Sequence, residues 1–458
     1  MVTRLLLFLP ILLTHTLTAQ TDVQALATAL DATAAELSYN GNVLVARDGA
    51  VVYRGSFGNR QLEDGSQLDS ATVFRLASVS KQFTALGIAL LENDGKLNYD
   101  DLLGEYIPEL AFYEGVTLRH LIHHYGGLPN YMDAVLESGS FERIYDNELV
   151  INLLAEKRPK ADFPAGTASD YSNTGYVLLA SVIERVSGKT YGDFLKERVF
   201  RPLGMNRTSV PTPTSQLDDN TAGSYGPDEK TGEMIRLDEG EDPDGAYLLA
   251  NVVGDGMVHS TTDDLFQYAE GMRTNRLLPA SKATVLTTPG ELSGYAFGQE
   301  VMQDEDLGLN LSHNGSWAGY LTYLERYPER GHVIIMLSNY GSDYVPLARI
   351  ADDFLRGKEV VIPRLFRPVA ADPKTFRAFT GKFLLEGEKK TELTFRVKKD
   401  RLMMELPNYP PFPLTPHAPA GFYLDGQPID VTFTQDEAGE VTGLIFYQRG
   451  KEIKGMRL

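Results

Sequence analysis

Ser78-Val79-Ser80-Lys81 sets a hydroxyl and an amine three residues apart, a spacing that a helix turns onto one face. A serine hydroxyl is a weak nucleophile until a base takes its proton, and a lysine can be that base if its surroundings hold it neutral. A helix N-terminus helps on both counts, favouring an alkoxide and disfavouring an ammonium. Ser-x-x-Lys arises about once by chance in a chain of this size, so its setting matters. The single match follows Phe74-Arg75-Leu76-Ala77, which reads as a strand or tight lead-in, and opens an uninterrupted helical pattern. Without partners elsewhere, Ser78 would be an N-capping serine and Lys81 an exposed lysine.

Two further segments offer partners. In Tyr171-Ser172-Asn173 the phenol can relay a proton, and the Asn173 amide can bond both a substrate carbonyl and the Lys81 ammonium. Tyr145-Asp146-Asn147 has the same short pattern, but the later triplet is preferred, because Phe163-Pro164-Ala165-Gly166 leads into it and a helix leads out. In His313-Asn314-Gly315-Ser316 the glycine lets a substrate backbone approach an edge strand, and the N–H beyond it can face a developing oxyanion. His124-Tyr125-Gly126 also fits His-x-Gly, and for any one of the eight histidines a hydrogen-bonding role is the default. His120 and His124 are four apart, as a helical metal pair would be, yet no His-Glu-x-x-His pattern or third ligand accompanies them. No metal and no cofactor is expected.

The segments follow in the order Ser-x-x-Lys, Tyr-x-Asn, His-x-Gly, about 90 and 140 residues apart. In this the chain resembles the serine β-lactamase and penicillin-recognising family, particularly its class C β-lactamase-like branch of esterases, D-aminopeptidases and D-Ala-D-Ala carboxypeptidases. The resemblance spans roughly residues 24–360 and includes Arg119-His120-Leu121-Ile122-His123-His124 with Gly127-Leu128-Pro129, and Gly254 to Leu265. It implies that Ser78 is acylated, that Lys81 and Tyr171 shuttle the proton, and that Asn173 positions substrate and Lys81. It also implies an oxyanion hole from the Ser78 and Ser316 amides. The family's third motif is usually Lys-Thr-Gly, so His313 stands where a lysine would pair with a substrate carboxylate, which a largely neutral histidine does less well. Tyr125-Gly126-Gly127 likewise replaces the family's usual Thr-Ser-Gly.

The elements that must position these residues are readable in outline. Helical spacing marks 23–37, 80–91 with a stop at Asp94-Gly95, 173–186 with a stop at Ser187-Gly188, 262–272 behind an acidic cap, and 345–355. Strand pairs are expected around Asp48-Gly49 and around Pro328-Glu329-Arg330-Gly331. Helices interspersed with hairpins favour an α/β (α+β) fold, an antiparallel sheet flanked by helices plus a helical subdomain. A Pro-rich linker is expected at 363–373, separating a hydrolase domain at 20–362 from a small all-β domain at 374–458, a barrel or a sandwich. That tail, with Phe379-Thr380-Gly381-Lys382-Phe383, is similar to the lipocalin-like C-terminal domains of some D-aminopeptidase-like relatives.

Composition narrows the function further. The 458 residues, 43% hydrophobic, suffice for a large core and a second smaller one. A net charge of -19 without clustered Lys and Arg excludes a nucleic-acid surface, and no Gly-rich phosphate loop opens a helix. There is no cysteine, which removes disulfides, thiol nucleophiles and a lipidated N-terminal Cys. Arg4, the apolar block Leu5–Leu13 and Leu17-Thr18-Ala19 read as a secretory signal at 1–19, and a retained anchor is the alternative. The mature chain is then secreted or periplasmic, with no stable membrane span. The expected activity is hydrolysis, through a covalent acyl-enzyme, of a small-molecule ester, D-amino-acid peptide or β-lactam-like substrate. The alternative is a non-catalytic sensor that binds penicillin- or peptidoglycan-like ligands.

Overall fold

A computed structural model of the chain describes residues 11–138, 144–211, 218–228, 231–238, 247–362, 364, 366, 368–386, 391–406, 411–424, 429–448 and 451–458. Two compact units result, one built mainly of Ser38–Tyr344 and the other of Gln24–Leu37, Val345–Phe354 and Glu359–Leu458.

The first unit is organised by a seven-stranded antiparallel sheet. Its strands are β1 (Gly41–Arg47), β2 (Ala50–Phe57), β7 (Tyr295–Ala296), β8 (Gln299–Asp304), β9 (Gly308–Trp317), β10 (Tyr320–Tyr327) and β11 (His332–Ser338) in the order β2-β1-β11-β10-β9-β8-β7. The hairpin expected at Asp48-Gly49 turns there, with both residues at positive φ (55° and 76°), as the right-handed strand twist requires. Every residue of the interior strand β11 is buried, which explains its unbroken apolar run Val333–Leu337. Two two-stranded ribbons complete the strands of this unit: β3 (Phe74–Arg75) with β6 (His259–Ser260), and β4 (Tyr225–Pro227) with β5 (Met234–Arg236).

Five helices position the residues of interest. In α2 (Lys81–Asn93) every residue from Lys81 to Leu91 is buried, the pattern of a helix enclosed on all sides. The short α3 spans Leu118–Ile122, and α4 (Asn147–Lys157) is capped by Asp146. α5 (Asn173–Ser187) starts where the Ser172 side chain accepts the Gly175 amide and ends at Gly188, φ 69°. α6 (Thr262–Arg273) starts where Thr261 accepts the Asp264 amide.

Outside that unit's main span, the helix expected from residue 23 is α1 (Ile11–Leu37), whose N-terminal part extends past the expected cleavage position after Ala19. Between Pro10 and Leu37 there is no Gly or Pro to stop it. Residues 1–10 of the expected signal lie outside the described residues. A helix over Val345–Leu355, α7, matches its expectation. Residues 363, 365 and 367 of the expected linker are not described, and Pro373 opens a 3₁₀ helix to Phe379.

The remainder of the second unit is a closed barrel, resolving the choice between barrel and sandwich. Its strands are β12 (Gly381–Leu385), β13 (Glu392–Lys398), β14 (Arg401–Glu405), β15 (Phe412–Ala418), β16 (Gly421–Tyr423), β17 (Ile429–Gln435), β18 (Val441–Gln448) and β19 (Lys451–Arg457). Pairing of Leu384 with Met456 joins first strand to last. Phe379, Phe383, Phe395, Phe422 and Phe433 fill the interior, mostly edge to face.

Candidate active site

Ser78 is held by its neighbours. β3 pairs with β6, the Leu76 amide donates to Val258 O (2.8 Å), and Leu76 O accepts the Thr322 hydroxyl (2.7 Å). Ala77 then takes φ 47°, a conformation that costs a non-glycine residue on the order of 1–3 kcal/mol and persists only where the surroundings impose it. Ser78 follows in a 3₁₀ turn, Ala77–Ser80, that runs into α2. The buried Ser80 hydroxyl accepts the Val258 amide (3.0 Å), so the motif's second serine is structural.

Lys81 is fully buried, and its Nζ lies 3.1 Å from Ser78 Oγ, 2.7 Å from Asn173 Oδ1 and 2.8 Å from Asp255 O. Two of these neighbours can only accept. A neutral amine therefore gives its two N–H bonds to Asn173 and Asp255 and turns its lone pair to the Ser78 O–H. Burial lowers the Lys81 pKa to about 8, against the opposing pull of Asp255.

Asn173 is the first residue of α5, placed by the Ser172 cap. The Tyr171 ring centroid is 5.0 Å from Lys81 Nζ, and Ser78 is the neighbour that lowers its phenol pKa. Although the residue is 47% exposed, burial raises its phenol pKa, while Ser78 lowers it and Asp255 raises it further. Tyr171 is thus a protonated phenol at neutral pH.

The third segment lies on β9. Pairing with β8 stops at Ser312, and residues 313–317 bond to β10 on one side and face the Ser78 turn on the other. Only glycine fits at 315: a Cβ would stand 2.4 Å from Leu76 O and 3.0 Å from Ser78 N. The Gly315-Ser316 backbone is thereby laid against the Ser78 amide. His313 is enclosed, its pKa lowered to about 3 by burial and then by the Lys81 charge. Its Nδ1 bonds Asn314 O, an acceptor, so Nδ1 carries the proton and Nε2 accepts the Tyr295 hydroxyl (2.9 Å). Both ring nitrogens are engaged.

Ser78, Lys81, Tyr171, Asn173, His313, Gly315 and Ser316 therefore converge, and the fold adds residues that spacing did not reveal. Asp255 is buried, accepts the Tyr131 hydroxyl (3.1 Å) and has its pKa raised by burial, opposed by Lys81, Tyr131 and Arg75. It follows Gly254 at φ 108°, where a Cβ would meet Tyr176 O at 2.3 Å. His124 lies 4.5 Å from the Tyr171 ring, tilted by 42°, and accepts the Ser172 amide at Nδ1 (3.0 Å). His120 accepts the Thr117 amide at Nδ1, so each member of the His120–His124 pair has one ring nitrogen occupied. The rival triplet serves packing: the Asn147 amide bonds Val177 O, Ser181 Oγ and both backbone groups of Val253. Trp317 is half-buried with Arg75 5.4 Å over its ring.

The family model described as Beta-lactamase matches residues 26–353. Penicillin-binding protein 4* of Bacillus subtilis (strain 168) is 32% identical over 434 residues, covering 92% of this chain and 95% of its own. A D-aminopeptidase of Gluconobacter oxydans (strain 621H) is 24% identical, covering 68% of this chain and 58% of its own. An octameric penicillin-binding protein homologue from Pyrococcus abyssi superposes with TM-score 0.65 at 23% identity, over 95% of this chain and 100% of its own.

Proposed function

The chain belongs to the Beta-lactamase family, within the serine hydrolase superfamily, and on that footing we propose that it cleaves ester or amide bonds by acylating Ser78. The observation that carries the reading is the enclosed Lys81 amine, with two acceptor-only neighbours and the Ser78 hydroxyl as its third. As the Ser78 oxygen bonds the substrate carbonyl carbon, its proton passes to the Lys81 lone pair. The Ser78 and Ser316 amides receive the oxyanion. Collapse breaks the bond to the leaving alcohol or amine, which takes a proton from the Tyr171 phenol, itself reprotonated from Lys81. Water attacks the acyl-enzyme by the same relay in reverse, releasing the acid and restoring Ser78. Asn173 orients both the amine and the substrate.

His313, neutral and with both nitrogens engaged, offers no cation to a substrate carboxylate. This supports ester or D-amino-acid amide substrates, in keeping with the D-aminopeptidase relative, over substrates with a terminal carboxylate next to the scissile bond. We also read residues 1–19 as an export signal and the mature chain as secreted or periplasmic. Among the described residues no helix is long and apolar enough to cross a membrane.

Ser78→Ala should keep the wild-type melting temperature and lose p-nitrophenyl ester turnover by roughly 10³-fold or more. Fluorophosphonate labelling should vanish with it. Wild-type turnover in a folded Ser78→Ala protein would end the assignment.

A further inference from the structure

A cavity of about 320 Å³ lies in the first unit between α6 and the sheet, and Ser78, Lys81 and Tyr171 do not line it. At its floor is Arg326 on β10, 5% exposed. Nη2 donates to the side-chain oxygens of Gln82 (2.9 Å) and Gln299, both buried, and the Gln299 amide is oriented by donating to Leu286 O (2.9 Å). Tyr268 supplies its ring face at 5.1 Å. Arg326 Nε and Gln82 Nε2 have no hydrogen-bond partner, and among the described residues no carboxylate stands within ion-pair distance of the guanidinium.

A guanidinium does not relieve burial by losing its proton, so an enclosed one without a counter-charge is held at a cost that an anion would offset. The walls beyond it are apolar, with Leu86, Leu286, Phe297 and Leu311 among them. Among the lining residues Glu270 pairs with Arg273 at 2.6 Å, so its negative charge is offset. A 150 Å³ apolar cavity accommodates benzene, so this one has room for roughly ten to twelve heavy atoms.

We propose that this cavity binds an apolar monocarboxylate, its carboxylate seated on Arg326 and its chain along the leucine-lined walls. The site is independent of the chemistry at Ser78.

Calorimetric titration of the full-length protein with octanoate tests it. One saturable site is expected, with Kd on the order of 0.1 mM, and octanol and inorganic phosphate should each bind about tenfold or more weakly. Arg326→Gln, which removes the charge, should abolish binding. Ala283→Phe, which narrows the cavity while leaving the charge of Arg326 in place, should weaken it. The proposal is overturned by no saturation up to about 10 mM, by octanol or phosphate binding as tightly as octanoate, or by unchanged affinity in Arg326→Gln. Should Arg326→Gln not fold, Ala283→Phe decides, and octanoate affinity unaltered there overturns it equally.

Discussion

In the proposed reaction the rate of Ser78 acylation should climb with pH and level off above about 8, because the proposed base, Lys81, is an amine whose pKa burial lowers to about 8 from 10.5. That shift corresponds to about 3 kcal/mol of disfavour for the ammonium. At pH 7 roughly one Lys81 in ten is then neutral, where an ordinary lysine would be neutral about once in three thousand, a gain of several hundredfold in competent enzyme. The sign follows from the wiring: an ammonium donates to Ser78 Oγ, Asn173 and Asp255 together and has no lone pair to take the proton. The assay is kcat/KM for a p-nitrophenyl ester across pH 6 to 10, corrected for spontaneous hydrolysis, since that parameter reports the free enzyme. Asp255→Asn sharpens the test. The carboxylate raises the Lys81 pKa, so its removal should move the limb to lower pH. A limb still rising at pH 10 would identify the Tyr171 phenol, whose pKa is raised, as the group that must ionise. That result, or a limb unmoved in Asp255→Asn, would refute the reasoning.

Asn147→Ala should cost about 2–4 kcal/mol in denaturant unfolding by stripping a buried bonding hub, with kcat/KM nearly unchanged. Asn173→Ala should do the reverse, lowering kcat/KM on the order of 100-fold with the melting temperature nearly unchanged. Gly315→Ala drives a methyl into Leu76 O and the Ser78 amide, so both stability, by about 1–3 kcal/mol, and fluorophosphonate labelling should fall. His313→Lys places a second ammonium beside Lys81, which should shift the pH limb downward and raise the ranking of substrates with a free carboxylate in a competition assay.

Ser78 and Lys81 are legible as a pair because residues three apart on a helical turn share a face, and Tyr171 and Asn173 because the turn Phe163-Pro164-Ala165-Gly166 leads into them and a helix leads out. Asp255 is not legible. It sits between two glycines in a segment without periodicity, and its partners Lys81 and Tyr131 are distant in sequence. The His120–His124 spacing carries no helical meaning, because α3 ends at Ile122 and His124 takes φ 63°. The engagement of His313 is equally hidden, since it depends on Tyr295 from another strand. In the tail, alternation along β13, β14, β17 and β18 marks which side chains face inward. Closure depends on Leu384 meeting Met456, which local patterning does not encode. The antiparallel sheet with flanking helices was readable because hairpin and helix signals are local, whereas the order of its strands was not.

That order has a consequence for synthesis. β1 pairs at once with β2, but its other partner, β11, which sets Ser338 against Gly41, emerges only after β9 and β10. Until then Ser78 has no Gly315 backbone against it. A chain cut short before β9 therefore lacks the backbone that faces Ser78, although it already carries the proposed nucleophile and base.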